Sequence, residues 1–328
     1  MSVPLTIAPT DPILSDPSVV ILDASWLYEP DPPTRDAYEE FNAGPRFPGA
    51  RFWSLDEVSE PHPDGYALML PSPERFAKFA GDHGIERDSH VIVYDNEGVF
   101  AAPRTAWTFK VYGHEKVSVI DGGLPRARKE GVKLETGPPK AFGKTTYPVP
   151  TPTPSAVVEF PEITKIASRA TPLDDQVVLI DARPASAYEA GHIPTSLSFD
   201  FPTALLTGQA KHDNGGASAK VQEFTYLREK DDLRKHLTEQ IGEEAYKKIE
   251  SGEATVVNTC GGGLSAAINW LQLQSLGIPS RLYDEVSVWV STLPLLPVLL
   301  QRKRLLKALV ACRPKYSPGA DTQLDLRQ

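Results

Sequence analysis

Cys260 follows the apolar run Ala254-Thr255-Val256-Val257-Asn258-Thr259 and precedes Gly261-Gly262-Gly263-Leu264-Ser265-Ala266. A β-branched run of this length reads as a buried strand, the glycines as a tight loop, and the spacing of Leu264, Ile268 and Leu271 as one face of a helix. The cysteine therefore sits at a strand-to-helix turn. Glycines there permit positive φ and close backbone approach, so successive N–H groups can point at the sulfur while the helix dipole adds positive potential. A free cysteine ionises near about 8.5, and such a setting lowers that value toward a nucleophilic thiolate at neutral pH. The competing reading, a cysteine that only fills the end of a strand, does not call for three glycines after it.

The elements that must hold this turn occur twice, about 160 residues apart, the size of a domain rather than of a solenoid repeat. Val19-Val20-Ile21-Leu22-Asp23-Ala24 is echoed by Val177-Val178-Leu179-Ile180-Asp181-Ala182, and Phe47-Pro48-Gly49-Ala50 by Ile193-Pro194-Thr195-Ser196. Val91-Ile92-Val93-Tyr94-Asp95 answers Val256-Val257-Asn258-Thr259-Cys260, and each is followed by a helix and a further strand ending near Asp121 or Asp284. Strands alternating with helices predict an α/β fold: two tandem domains, each a parallel sheet flanked by helices on both faces. The first domain is expected over 1–145, a Pro-rich linker over 146–155, the second over 156–285 and a dissimilar tail over 286–328. Where the second half has Cys260, the first has Asp95, so only the second half carries a sulfur nucleophile.

Composition narrows the function. The 328 residues are 41% hydrophobic, enough for two cores, and the formal net charge of −9 argues against a nucleic-acid surface. Two cysteines, Cys260 and Cys312, are too few for a disulfide framework, and no histidine spacing suggests a metal site. Neither a cofactor nor a metal is expected. The first residues show no secretory or Arg-rich transit pattern, so a cytoplasmic location is expected, with a mitochondrial one as the alternative, and no membrane partner.

The motifs resemble the two-domain rhodanese family, the thiosulfate and 3-mercaptopyruvate sulfurtransferases. The resemblance spans residues near 18 to 285 and is carried by Leu22-Asp23-Ala24-Ser25-Trp26, Pro48-Gly49-Ala50-Arg51-Phe52, Met69-Leu70-Pro71-Ser72-Pro73, Ala102-Pro103-Arg104, Asp121-Gly122-Gly123-Leu124-Pro125, Asp181-Ala182-Arg183, Gly191-His192-Ile193-Pro194 and the Cys260 loop. It implies a ping-pong reaction: the Cys260 thiolate takes the outer sulfur of a small anionic donor as a persulfide and passes it to a thiol, to cyanide, or to a sulfur-accepting protein such as thioredoxin. The loop Cys260-Gly261-Gly262-Gly263-Leu264-Ser265 is uncharged and looks nearer the mercaptopyruvate kind, so Gly261, Gly262, Gly263, Leu264 and Ser265 are expected to cradle the transferred sulfur. Arg183 matches the family arginine that faces the donor's anionic group, and its planar fork suits a carboxylate; a structural ion pair is the other reading of it. Asp56 aligns with an acidic residue proposed to help move protons at the site, and His192 reads as a loop-fixing hydrogen-bonding residue.

The departures point to the alternative of a weakly active or non-catalytic sulfur carrier that delivers persulfide to a protein partner. Gly262 stands where the family has a serine or threonine, Leu68 replaces a histidine, and the loop with a second arginine after Arg183 is missing. After Tyr283-Asp284-Glu285 the chain departs completely; the apolar run is too short and too interrupted by Pro294 and Pro297 to span a membrane, and the tail reads either as an extra helix folded onto the domain or, from the Val286-Ser287 pair where the likeness stops, as translated intron sequence. A cysteine phosphatase would share the strand-loop-helix cysteine, but its small members need Arg as the sixth residue after it, and Ala266 stands there.

Overall fold

The computed structural model describes residues 3–27, 34–62, 65–212 and 220–285; the tail 286–328, with Cys312, lies outside them. Two five-stranded parallel sheets carry the two halves. The first is built from β1 (Thr6–Ile7), β2 (Val19–Asp23), β3 (Arg51–Phe52), β4 (His90–Tyr94) and β5 (Val117–Ile120), ordered β1-β5-β4-β2-β3. The second is built from β6 (Val157–Val158), β7 (Val177–Asp181), β8 (Leu197–Ser198), β11 (Thr255–Thr259) and β12 (Ser280–Tyr283), ordered β6-β12-β11-β7-β8. Strand for strand, the orders coincide. Val91, Ile92, Val93 and Tyr94 have no exposed surface, and neither do Val256 and Val257. Both faces of each central strand are covered, which is why the sequence reads there as an unbroken apolar run instead of an alternation.

An antiparallel hairpin, β9 (Leu206–His212) and β10 (Lys220–Tyr226), is inserted in the second half. The sequence pattern did not announce it, because mainly Ala210 and Phe224 turn inward and the neighbouring positions are polar or glycine. Among the described residues, the equivalent segment of the first half has an isolated bridge between Glu60 and Met69. Each insertion lies on the other half. The Leu227 N–H donates to Asp121 Oδ1 at 2.8 Å and, in mirror fashion, the Leu70 N–H donates to Asp284 Oδ2 at 2.7 Å.

The helices Ala102–Val111 and Leu264–Ser275 pack against one another between the sheets. The spacing predicts one apolar face for the second of these, yet Ala266 through Leu273 are all buried, including Asn269 and Gln272. The helix is enclosed because one side covers its own sheet and another meets the partner helix. Residues 139–153 contain no helix or strand and run along the first half, where Tyr147 is buried and the Thr145 N–H donates to the Gly81 carbonyl.

Candidate active site

Parallel strands bring the residues that follow them to one edge, the usual place for a ligand in an α/β sheet. At that edge of the second half Cys260 follows β11, Arg183 follows β7 by two residues, and Asp284 follows β12. β11 lies between β12 and β7, and the Ala182 N–H donates to the Thr259 carbonyl at 2.9 Å, fixing the end of β7 beside the cysteine. The chain then turns into the helix through Gly263, whose φ of +80° lies in the left-handed region that glycine adopts without cost. The Gly263 N–H points back and donates to Cys260 Sγ at 3.1 Å. Cys260 is only 2% exposed, whereas a side chain placed on Gly261 or Gly262 would meet nothing within 4 Å. The loop thus has unobstructed space at Gly261 and Gly262, the two residues that follow the recessed sulfur in the chain. Leu264 is buried and Ser265 half-buried at the start of the helix.

Arg183 is placed beside this loop, but its Nε–Nη2 edge is engaged. Nε lies 3.0 Å from both oxygens of Asp181, Nη2 lies 2.7 Å from Oδ2, and Nη2 also donates to the Gly191 carbonyl at 2.7 Å. His192 Nδ1 sits 2.9 Å from the Tyr188 carbonyl and its ring stacks on Tyr188, a loop-fixing arrangement. Asp56 stands on the first half, where Oδ1 accepts a hydrogen bond from the Trp26 indole at 3.1 Å. The protein around it raises its carboxyl above the usual range, and the indole bond opposes that rise.

The sequence motifs gave no role to Arg104, which reaches the loop from the first half. Arg104, on the helix Ala102–Val111, is 2% exposed and forms an ion pair with Asp284 at 2.5 Å. Its Nη2 donates to the Leu68 carbonyl at 2.6 Å. A signal was present: an arginine inside Ala101-Ala102-Pro103-Arg104-Thr105-Ala106-Trp107 must be paired if that helix is buried.

The corresponding loop of the first half is occupied by its own side chain. Asp95 Oδ2 accepts from the N–H groups of Phe100, Ala101 and Ala102, each at 2.9 Å, and Oδ1 accepts from that of Glu97. A cavity of about 600 Å³ lies beside this Asp95 loop and is lined by Ser25, Arg35, Asn96 and Arg128 among others. Among the described residues no cluster of histidine, cysteine and carboxylate side chains could hold a metal ion.

Two tandem α/β units, with one strand-loop-helix cysteine among the described residues, define a duplicated α/β protein whose halves differ at the loop after the central strand. The description "Rhodanese-like domain" matches residues 13–130 and 169–288, and the chain belongs to that family, with its domain present twice. It is 29% identical over 278 residues to the probable 3-mercaptopyruvate sulfurtransferase of Schizosaccharomyces pombe, covering 81% of this chain and 84% of that one. It is 32% identical over 238 residues to the thiosulfate sulfurtransferase of Gallus gallus, covering 66% and 73%. The crystal structure of SseA from Escherichia coli, a 3-mercaptopyruvate sulfurtransferase with the rhodanese fold, superposes with a TM-score of 0.68 at 27% identity, covering 87% of this chain and 99% of that one.

Proposed function

We propose that the chain is a sulfurtransferase that carries a sulfane sulfur on Cys260, with 3-mercaptopyruvate as its better donor and thiosulfate as the weaker one. The observation that carries this reading is the recessed Cys260 sulfur, held by the Gly263 N–H at the strand-to-helix turn. The Cys260 thiolate attacks the sulfur of mercaptopyruvate. The new S–S bond forms as the C–S bond breaks, the electron pair leaves on the pyruvate enolate, and a proton converts that to pyruvate. The terminal sulfur then passes to a thiolate or to cyanide, giving a new persulfide or thiocyanate and regenerating the Cys260 thiolate. Splitting the transfer in two lets one sulfur serve as nucleophile and then as leaving group.

Arg183 binds the donor's carboxylate through Nη1, the part of the fork that Asp181 and Gly191 leave. Asp56 helps to move protons in the reaction. The uncharged glycines favour mercaptopyruvate because thiosulfate, a compact dianion, needs cationic groups close to the transferred sulfur. A protein thiol such as that of thioredoxin is a candidate acceptor, and a reducing compartment, cytosol or mitochondrion, suits the free thiol. No described helix is long and apolar enough to cross a membrane.

The test is pyruvate and thiocyanate production by the purified protein. Cys260→Ser is expected to abolish transfer with an unchanged melting temperature, and Arg183→Ala to raise KM for mercaptopyruvate more than it lowers kcat. A wild-type preference for thiosulfate of about tenfold in kcat/KM, or about 1.4 kcal/mol of transition-state binding, would overturn the donor assignment. Full activity of Cys260→Ser would overturn the mechanism.

A further inference from the structure

We propose that the first half completes the active site through Arg104, a positioning residue whose ion pair with Asp284 fixes the turn at Gly263 and so the N–H that holds the Cys260 sulfur. Four pieces of chain meet at this pair. Arg104 Nη1 contacts Asp284 Oδ1 at 2.5 Å, Nη2 holds the Leu68 carbonyl at 2.6 Å, and Asp284 Oδ2 holds the Leu70 N–H at 2.7 Å. The fourth piece is the catalytic loop. A Cβ on Gly263 would collide with Arg104 Nη1 and come within 3.3 Å of Asp284 Oδ1, so the bare Cα rests against the ion pair.

The guanidinium is stacked over the Trp107 ring, 4.5 Å from its centroid, and cannot swing away without unpacking a residue that is 1% exposed. Leu68 has a φ of +61°, a left-handed conformation unusual for leucine, which persists only where surrounding contacts over-determine it. Arg104 supplies one of those contacts and Asp284, through Leu70, another. The first half does not return the arrangement: Asp121, the counterpart of Asp284, pairs with Arg126 of its own half, and Ala266 stands two residues into the helix where Arg104 does. The pair carries no net charge, so its effect on the sulfur is through geometry: it seats Gly263.

The turnover arm of the test rests on the sulfurtransferase reading; a second arm does not. Arg104→Lys keeps the buried charge balanced but loses the fork, and the double variant Arg104→Leu with Asp284→Asn removes both charges while keeping an acceptor for the Leu70 N–H. In the full-length protein, kcat for mercaptopyruvate with cyanide is expected to fall at least 10-fold in Arg104→Lys and at least 30-fold in the double variant, with KM within threefold. Alkylation of Cys260 by iodoacetamide, followed by peptide mapping so that Cys312 is not counted, is expected to accelerate at least fivefold at unchanged melting temperature, because the released loop exposes the sulfur. Variants that lose melting temperature but keep both kcat and the alkylation rate would show Arg104 to be structural only and overturn the proposal. A wild-type protein that transfers no sulfur would sink the functional reading, and the alkylation rates would then decide the role of Arg104 alone.

Discussion

The loops after β4 and β11 are the same device put to two uses. Both leave a central parallel strand, both open into a buried helix, and both are covered by an insertion from the other half. In the first, the Asp95 carboxylate takes the N–H groups of Phe100, Ala101 and Ala102, so the concavity is filled by an anion built into the chain. In the second, Gly263 precedes the helix without a capping side chain, and Gly261 and Gly262 put no side chain into the loop. A backbone nest binds an anion whether the anion is a residue or a substrate. The difference teaches that one fold, duplicated, can fill the loop with its own carboxylate in one copy and place a thiol there in the other.

The sharpest way to break this comparison is to empty the first nest. Asp95→Ala leaves the N–H groups of Glu97, Phe100, Ala101 and Ala102 without their acceptor in a buried loop. The expected cost is about 3–5 kcal/mol in urea or thermal unfolding, from several charge-assisted bonds lost together. A loss below about 1 kcal/mol would mean that the carboxylate does not hold the loop.

A smaller effect separates the two preceding strands. Asp181 at the end of β7 is paired with Arg183, whereas Asp23 at the end of β2 accepts from the N–H and hydroxyl of Ser25, with the Tyr94 hydroxyl also beside it and, among the described residues, no cation paired to it. Burial lifts the Asp23 carboxyl to about 6, the Ser25 bonds opposing the rise. Its folded value is above its unfolded one, so the folded state binds the extra proton and stability falls as pH rises from about 4 to about 6, then stays level. Asp23→Asn, which keeps an acceptor for Ser25, is expected to flatten that window and to stabilise the protein at pH 7 by about 1–3 kcal/mol. An identical pH dependence of unfolding in wild type and variant would contradict the assignment.

Much of this was legible in the residues. The duplicated Asp-Ala strand ends, the paired central strands and the exchange of Cys260 for Asp95 follow from local pattern, because strands buried on both faces leave continuous apolar runs. The site was legible only in part. Cys260 and its glycines declare themselves by sequence neighbourhood, and Arg183 lands beside them because β7 and β11 are adjacent in the sheet. Arg104 and the Leu68–Leu70 segment reach the loop only through contact between the halves, which no local pattern encodes. The hairpin β9–β10 was hidden for a related reason: its inward residues, Ala210 and Phe224, are too few to mark a period of two.

The smallest expected effect tests how far the open nest limits turnover. Gly262 offers no hydroxyl beside the sulfur, and its φ is not among the left-handed ones. A Cβ there meets nothing within 4 Å, so Gly262→Ser fits without displacing Cys260 and lowers the freedom of the unfolded chain, for a gain of about 0.5 kcal/mol. If a hydroxyl near the sulfur assists the proton that follows the leaving enolate, kcat is expected to rise about three- to tenfold, or about 0.7–1.4 kcal/mol of barrier, with KM unchanged. The neighbouring Gly263→Ser is the contrasting control, since it places the same hydroxyl on a residue with φ +80° and against Arg104. That variant is expected to lose activity. A rise in kcat for Gly263→Ser would mean that the turn tolerates a side chain, and no rise for Gly262→Ser would mean that the proton reaches the enolate without a hydroxyl at this position, leaving the Asp56 carboxyl as the group to change next.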